Sequence, residues 1–292
     1  MNGKAKEHRG GQLREKVMQV VFLIAACISI LAVALICIYL FANGLPAIAK
    51  IGPFEFLLGT DWRPNADHYG IFPMIIGSIY VTAGAIIVGV PLGLLAAIYM
   101  AKFCPAPLYK FLKPAVDLLA GIPSVVYGLV GMIVLVPAVR EWFHLPDGAS
   151  LFAAILVLAV MILPSIISVS ETALKAVPPE YEEASLGLGA TWIETVFRVS
   201  VPAASSGIAA SVVLGIGRAI GEAMAILMVA GNVANMPSLF NSVKFLTTAV
   251  ASEMSYSAGL QRQALFSIAL VLFLFIMLIN VILNTLLKGK KG

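Results

Sequence analysis

The sequence predicts an all-α polytopic membrane protein, with the lipid bilayer as its solvent. Of its 292 residues, 60% are hydrophobic and only 12% are charged, about half the charged fraction of soluble domains. The apolar residues are grouped in long segments, and a helix needs about 20 such residues to cross a membrane. Because so few charges cannot cover a surface in water, the composition excludes a soluble protein.

Six segments predict membrane-spanning helices. They are residues 17–41, 74–100, 115–139, 149–169, 207–233 and 264–287. The first is much longer than the apolar core of a secretory signal, which spans roughly 7–15 residues, so we interpret it as a retained helix. Pro123 and Pro164 predict a break or a kink in the third and fourth helices.

Lysine and arginine are distributed unevenly between the two sides of these helices. With the N-terminus inside, 13 of them lie in inner segments and five in outer loops, while Arg218 lies within a span. Cytoplasmic loops are enriched in these residues, so both termini are predicted to be cytoplasmic, in a bacterial inner membrane. The domain order is then a basic tail (1–16), the first helix, an extracytoplasmic loop (42–73), a five-helix core (74–287) and a second tail (288–292).

The sequence lacks the motifs of an enzyme that binds nucleotides or metals. It contains no Gly-x-x-x-x-Gly-Lys-Ser/Thr loop for ATP phosphates. Its three histidines, His8, His68 and His144, are scattered, so neither a metal cluster nor a catalytic Ser-His-Asp group is predicted. We therefore expect a non-catalytic chain with no cofactor of its own, in a transport, channel or sensing role.

The inner loop between the fourth and fifth spans predicts two short helices at about 178–199. Pro178 and Pro179 suit a helix start, and acidic residues follow in the first turn, where the helix dipole favours them. Gly187 and Gly189 end that helix, and a second amphipathic stretch begins at Trp192. By itself this pattern is also compatible with a solvated loop that carries helices at the membrane surface.

The spacing within this loop resembles the EAA signature of ABC importer permeases. That signature is Glu-Ala-Ala, three residues, Gly, nine residues and Ile-x-Leu-Pro. The chain has Glu183-Ala184-Ser185, Gly189 and Val199-Ser200-Val201-Pro202 at the same spacing. The resemblance implies a type I (MetI-like) permease core and a coupling helix that docks into a separate ATPase. The residues implied in coupling are Glu182, Glu183, Ala184, Ser185, Gly187, Gly189 and Pro202.

Further segments resemble the permeases of phosphate importers. These are residues 69–82, 121–128 and 217–225, and the last is similar to the Gly-Arg-Ala-x-Gly-Glu-Thr-Met-Ala stretch of PstC subunits. Met224 favours PstC over its sister permease PstA, whereas Ala223 departs from the usual Thr. The resemblance implies a complex with PstA, two copies of the ATPase PstB, which binds ATP and Mg, and the phosphate-binding protein PstS.

Three charged residues fall within the predicted spans: Asp117, Arg218 and Glu222. Charges there are costly and face the bundle interior or a water-filled cavity. Arg218 and Glu222 are four residues apart, which predicts one helix face and permits a structural ion pair. The alternative, which we favour, places both on the substrate path, where a guanidinium suits a tetrahedral oxyanion.

Asp117 and Ser124 are weaker candidates for the substrate path. Asp117 follows Lys113 by four residues, which favours a local surface pair over a gating role. Ser124 is next to Pro123, where a hydroxyl would meet backbone groups that the proline frees.

The sequence predicts a permease subunit of an ATP-driven importer of inorganic phosphate. Two alternatives remain open: a permease for another oxyanion, such as sulfate or molybdate, or an ion-coupled secondary anion transporter or channel. The EAA spacing argues against the second, because such a protein has no separate ATPase to bind.

Overall fold

The computed structural model describes residues 3–288, and its elements are almost all helices. Of the two predicted tails, residues 1–2 and 289–292 lie outside this range. Five helices are long and apolar enough to cross a membrane: Glu15–Ile51, Phe72–Phe103, Ser124–Trp142, Leu151–Lys175 and Gly259–Ile282. A sixth span is formed by Trp192–Ala203 and Ser205–Gly221 if this pair, bent by 69°, is counted as one. The predicted all-α polytopic fold is confirmed.

The elements follow one another in a simple order. The first half contains α1 (Gly3–Ile51), α2 (Pro53–Leu58), β1 (Trp62–Arg63), β2 (His68–Tyr69), α3 (Phe72–Ile98), α4 (Ala106–Gly121), α5 (Ser124–Val130) and α6 (Val136–Trp142). The second half contains α7 (Leu151–Lys175), α8 (Pro179–Gly187), α9 (Trp192–Thr195), α10 (Val201–Ala203), α11 (Ser205–Gly221), α12 (Met224–Val229), α13 (Leu246–Glu253) and α14 (Gly259–Lys288). A 3₁₀ turn, Pro64–Ala66, joins the two strands, and π-helical turns occupy Tyr99–Phe103, Gly131–Leu135 and Val196–Ser200.

Helix α7 is the centre of the bundle and packs against α3 and α11. Its side chains at Leu158, Met161, Ile162 and Ile166 are fully buried. The approach of α3 depends on glycines, since a Cβ on Gly93 would lie 2.9 Å from Ile166. Small residues at a helix interface let membrane helices approach closely, so α3 and α7 form the closely packed core pair.

Two predicted spans are not single helices. The predicted helix 115–139 is interrupted because α4 ends at Gly121 and Pro123 precedes α5 with extended backbone, φ −58° and ψ 141°. Proline lacks an N–H and disfavours helical geometry in the residue before it, here Ile122. The predicted helix 207–233 is also interrupted, because Glu222 leaves helical geometry with ψ 131° and α12 starts only at Met224.

The segment at 42–73, which the sequence predicts to be an extracytoplasmic loop, is more structured than a simple connection. Helix α1 continues through Pro46 to Ile51, beyond the predicted end at residue 41. The hairpin β1–β2 then pairs Trp62 with Tyr69. Trp62 Nε1 lies 3.2 Å from both carboxylate oxygens of Glu253, and Glu253 also pairs with Lys244. These contacts fix the hairpin to the end of α13.

Candidate functional site

Arg218 lies in the last turn of α11 and is half-buried. Its Nη1 donates a hydrogen bond to Ser165 Oγ on α7 at 3.1 Å. A cation is favoured at a helix C-terminus, where the backbone carbonyls are free. Arg218 is therefore held between α11 and α7. Within the described part of the chain its side chain makes this one hydrogen bond, which leaves most of its five N–H donors for other partners.

Glu222 is the residue at which α11 ends. Its Oε1 accepts a hydrogen bond from the backbone N–H of Ala225 at 2.9 Å, in the first turn of α12. Within the part of the chain that the structure describes, no salt bridge joins Glu222 to Arg218. The structural ion pair considered from the sequence is therefore wrong, because residues four apart share a face only while the helix continues.

The helix that carries Ser124 packs beside the break at Glu222. Ser124 is the first residue of α5 and is half-buried. One turn later, a Cβ on Gly128 would lie 2.8 Å from the backbone of Ala225. The missing side chain thus lets α5 contact the start of α12, and this contact brings the region of Ser124 and that of Glu222 together.

Asp117 is not part of this arrangement. It is exposed and lies 3.2 Å from Lys113 Nζ, so the predicted surface pair is confirmed. Lys113 also lies 3.2 Å from the Glu171 carboxylate on α7. Burial alone would lower the pKa of Lys113, but its hydrogen bonds to Asp117 and Glu171 raise the pKa above its usual value.

The predicted coupling segment forms two short helices, α8 and α9, as expected. Helix α8 starts after Pro178, has Glu180 and Glu182 in its first turn and ends at Gly187. Gly189 has φ +88°, and no atom lies within 4 Å of the position of its missing Cβ. The expected tight turn at Gly189 is confirmed, since this left-handed backbone favours glycine. Thr191 and Glu194 then form a capping box that starts α9.

The predicted coupling residues divide into two groups. Exposed positions, which are available to a partner, are Glu183, Ala184, Gly187, Gly189 and Pro202. Two others make contacts within the chain: Ser185 Oγ lies 2.9 Å from Thr195 Oγ1, and the side chain of Glu182 is only 13% exposed and pairs with Lys102. Of the two neighbouring glutamates, Glu183 is therefore available to a partner, whereas Glu182 is engaged within the chain.

A cavity of about 620 Å³ opens between α5, α6 and α7. Its lining includes Tyr127, Val134, Trp142, Leu156 and Val160, and none of its lining residues is charged. An apolar cavity of this kind offers an anion nothing in place of its hydration. The charged candidates Arg218 and Glu222 lie outside this lining.

Comparison with known proteins identifies the family. Residues 89–289 match the binding-protein-dependent transport system inner membrane component family. The chain belongs to this family. This permease is 40% identical over 280 residues to the probable ABC transporter permease protein YqgH of Bacillus subtilis, covering 92% of this chain and 91% of that one. It is 34% identical over 290 residues to the phosphate transport system permease protein PstC of Haemophilus influenzae, covering 91% and 92%.

Solved structures of ABC transporters share the fold of this permease. A chain of the MetNI methionine ABC transporter superposes with a TM-score of 0.56 at 21% identity, over 75% of this chain and 94% of that one. A chain of a bacterial alginate ABC transporter, in complex with an alginate-bound periplasmic protein, gives 0.61 at 16% identity, over 94% and 95%. These likenesses show the fold. Membership of the family, together with the relatives described above, makes the permease a non-catalytic, multi-pass subunit that works with a second permease, an ATPase and a binding protein.

Glu171 is a charged residue of the permease that the sequence analysis did not single out. Its side chain is 3% exposed and accepts hydrogen bonds from Tyr109 at 2.6 Å and Lys175 at 2.7 Å. The predicted fourth span ended at residue 169, which placed Glu171 in the loop, whereas α7 continues to Lys175. The four-residue spacing of Glu171 and Lys175 is a helical signal that would have extended that span.

Proposed function

We propose that this permease is the PstC-type subunit of an ATP-driven importer of inorganic phosphate. The observation that carries the proposal is the match to the phosphate permease PstC of Haemophilus influenzae over nearly the whole length of both chains. The complex would contain a PstA-type permease, two PstB-type ATPase subunits that bind ATP and Mg, and a PstS-type phosphate-binding protein. Both termini of the chain would lie in the cytoplasm.

Arg218 supports an anionic substrate. Its guanidinium is half-buried, and its one hydrogen bond to a side chain among the described residues goes to Ser165. Planar N–H donors fit the oxygens of a tetrahedral oxyanion in pairs. Arg218 would bind phosphate as it passes the break between α11 and α12.

Glu222 supports phosphate over sulfate. Phosphate at neutral pH still carries a hydroxyl, whereas sulfate only accepts hydrogen bonds. A carboxylate beside the path accepts a hydrogen bond from the phosphate hydroxyl and repels an anion that has no hydroxyl to donate. In the empty permease, the negative charge of Glu222 near the same helix end offsets the charge of Arg218.

The exposed positions Glu183, Ala184, Gly187 and Gly189 support coupling to an ATPase. ATP binding to the two ATPase subunits draws the coupling helices of the two permeases together and opens the path outward. Hydrolysis and release then return the path to its inward-open state. The permease contributes no chemistry to these steps, and its role is to convert a movement at the cytoplasmic face into access from one side or the other.

The decisive experiment is uptake of labelled phosphate by vesicles that contain the reconstituted complex. We expect uptake only when both ATP and the binding protein are present. Labelled sulfate and molybdate are measured in parallel. Uptake of one of these anions without phosphate would contradict the assigned substrate, and uptake of phosphate that does not require ATP would contradict the proposed class of transporter.

A glycine substitution tests the coupling surface. Gly189→Asp should leave membrane insertion intact and prevent the ATPase from co-purifying, because a side chain strains the turn and changes the docking surface. Gly52→Asp is the matched control, since Gly52 also has a positive φ, +99°, and an equally empty surrounding on the outer side. Each substitution places a side chain on backbone that non-glycine residues rarely adopt, which costs about 1–3 kcal/mol. Retention of the ATPase by Gly189→Asp, or its equal loss in both variants, would contradict the assignment.

A further inference from the structure

Glu182 differs from the other acidic residues of the coupling helix in pointing into the protein. Glu180 and Glu183 are exposed, whereas the side chain of Glu182 is 13% exposed. Its Oε1 pairs with Lys102 Nζ, which is 10% exposed, and accepts a hydrogen bond from Ser200 Oγ at 2.7 Å. Glu182 therefore cannot be part of the surface that the ATPase contacts, and its carboxylate serves contacts within the permease.

Both partners of Glu182 belong to π-helical turns. Lys102 lies in the turn Tyr99–Phe103, at the cytoplasmic end of α3, and Ser200 ends the turn Val196–Ser200, just before the fifth span. Such turns are rare in proteins and are frequently found at functional sites. One carboxylate thus joins the coupling helix to irregular turns in two different membrane-spanning segments.

A second contact reinforces this junction from the other short helix. Trp192 Nε1, at the start of α9, donates a hydrogen bond to the backbone carbonyl of Lys102 at 3.3 Å. Lys102, at the end of α3, is therefore contacted twice. Its side chain pairs with Glu182 of α8, and its backbone carbonyl accepts a hydrogen bond from the Trp192 side chain of α9. From there α3 runs along α7, against which it packs by close approach at Gly93, so a displacement of its end reaches the core.

We propose that the Lys102–Glu182 ion pair transmits movement of the coupling helix to α3, so that both residues are positioning residues for transport. This inference rests on the proposed function and specifies how that coupling acts. Removal of one partner leaves the other charge buried without compensation, and α8 can then move without moving α3. Hydrolysis continues in such a variant, but less of it results in transport.

The test uses the complete complex in liposomes and measures phosphate taken up per ATP hydrolysed. Lys102→Met and Glu182→Gln should each lower this ratio about tenfold, within the usual range for coupling between sites. The exchanged pair Lys102→Glu/Glu182→Lys should recover most of it, because the Trp192 contact uses the backbone and survives the exchange. Lys110→Met is the control, since Lys110 is an exposed lysine on the nearby helix α4, and it should not change the ratio.

Each other outcome has a defined meaning. Single variants with the ratio of the native complex, or an exchanged pair no better than the single variants, would overturn the inference. If the single variants do not accumulate in the membrane, Ser200→Ala tests the inference instead, because it keeps both charges. It should lower the ratio of phosphate taken up to ATP hydrolysed about threefold. An unchanged ratio overturns the inference. A native complex that takes up no phosphate contradicts the proposed function instead, and the junction is then measured by how far the binding protein stimulates ATP hydrolysis.

Discussion

Arg218 and Glu171 are both charged residues within membrane-spanning helices, but they differ in how fully the protein compensates their charge. Glu171 is 3% exposed and lies between two lysines: Oε1 pairs with Lys175 and Oε2 lies 3.2 Å from Lys113. Arg218 is half-buried, and its one hydrogen bond to a side chain among the residues described goes to the neutral Ser165. The comparison separates two uses of an intramembrane charge: a compensated charge stabilises the bundle, and an uncompensated one is available to a ligand.

The largest effect is expected for Arg218→Gln, which removes the available charge. Phosphate uptake by the assembled complex should fall about 100-fold, because truncating one partner of a buried charged contact costs roughly 2–5 kcal/mol. Assembly should survive, since glutamine keeps the first part of the arginine side chain and a polar group while it leaves no charge uncompensated. Arg140→Gln, at an exposed arginine at the end of α6, is the control. Uptake close to that of the native complex would remove Arg218 from the path.

The reverse pattern is expected for Glu171→Gln, which affects stability rather than transport. The substitution removes the negative charge and leaves Lys113 and Lys175 around a neutral group. Breaking a buried ion pair in this way lowers the free energy of unfolding by about 3–5 kcal/mol. The thermal unfolding temperature of the detergent-purified complex should fall, while uptake per assembled complex stays close to normal. A stable variant that no longer transports would place Glu171 on the path and invalidate the comparison.

Glu222→Gln should have an intermediate effect, because Glu222 is only partly satisfied. Glutamine keeps the carbonyl oxygen that accepts from Ala225 N–H, so α12 should form normally. We expect phosphate uptake to fall about tenfold, the value of one lost hydrogen bond to a charged group, and sulfate to be rejected less strongly. A permease variant that works without the binding protein isolates this step, and unchanged selectivity there would exclude Glu222 from discrimination.

The smallest effect is expected for Asp117→Asn. Its side chain is 54% exposed, and surface ion pairs contribute about 0–1 kcal/mol. Lys113 keeps its contact with Glu171, so neither unfolding temperature nor uptake should change measurably. A strong loss of transport would revive the gating role that the sequence left open for Asp117.

The sequence predicts the helices of this permease better than their ends, for a physical reason. Hydrophobic length is a property of each segment, so it locates the spans. Whether a proline breaks a helix depends on its neighbours: Pro91 and Pro164 lie inside α3 and α7, whereas Pro123 separates α4 from α5. In a packed bundle neighbouring groups satisfy the backbone that a proline frees, and one sequence does not show where such neighbours lie.

The same limit applies to the candidate site. The end of the helix at Gly187 and Gly189 is a local feature, so the loop sequence indicates it, and the resemblance to the EAA signature assigns Glu183 to the coupling surface. It did not separate Glu182 from Glu183, since the partner of Glu182, Lys102, is 80 residues away in the chain. The sequence does not predict the break at Glu222, because Gly221 is compatible both with the end of a helix and with a small residue inside a continuing helix.

The π turn at Gly131–Leu135 has a consequence for how the gene encoding this chain can change. Each residue of a regular α-helix advances it by about 100° around its axis, so one residue gained or lost within α5 or α6 would rotate everything beyond it by that angle. A π turn already holds one extra residue in a single turn, so the loss of one residue from it would regularise the helix and leave Trp142 directed toward the apolar cavity that it lines. A single-codon deletion should therefore be tolerated within Gly131–Leu135 and rejected in the regular turns on either side of it.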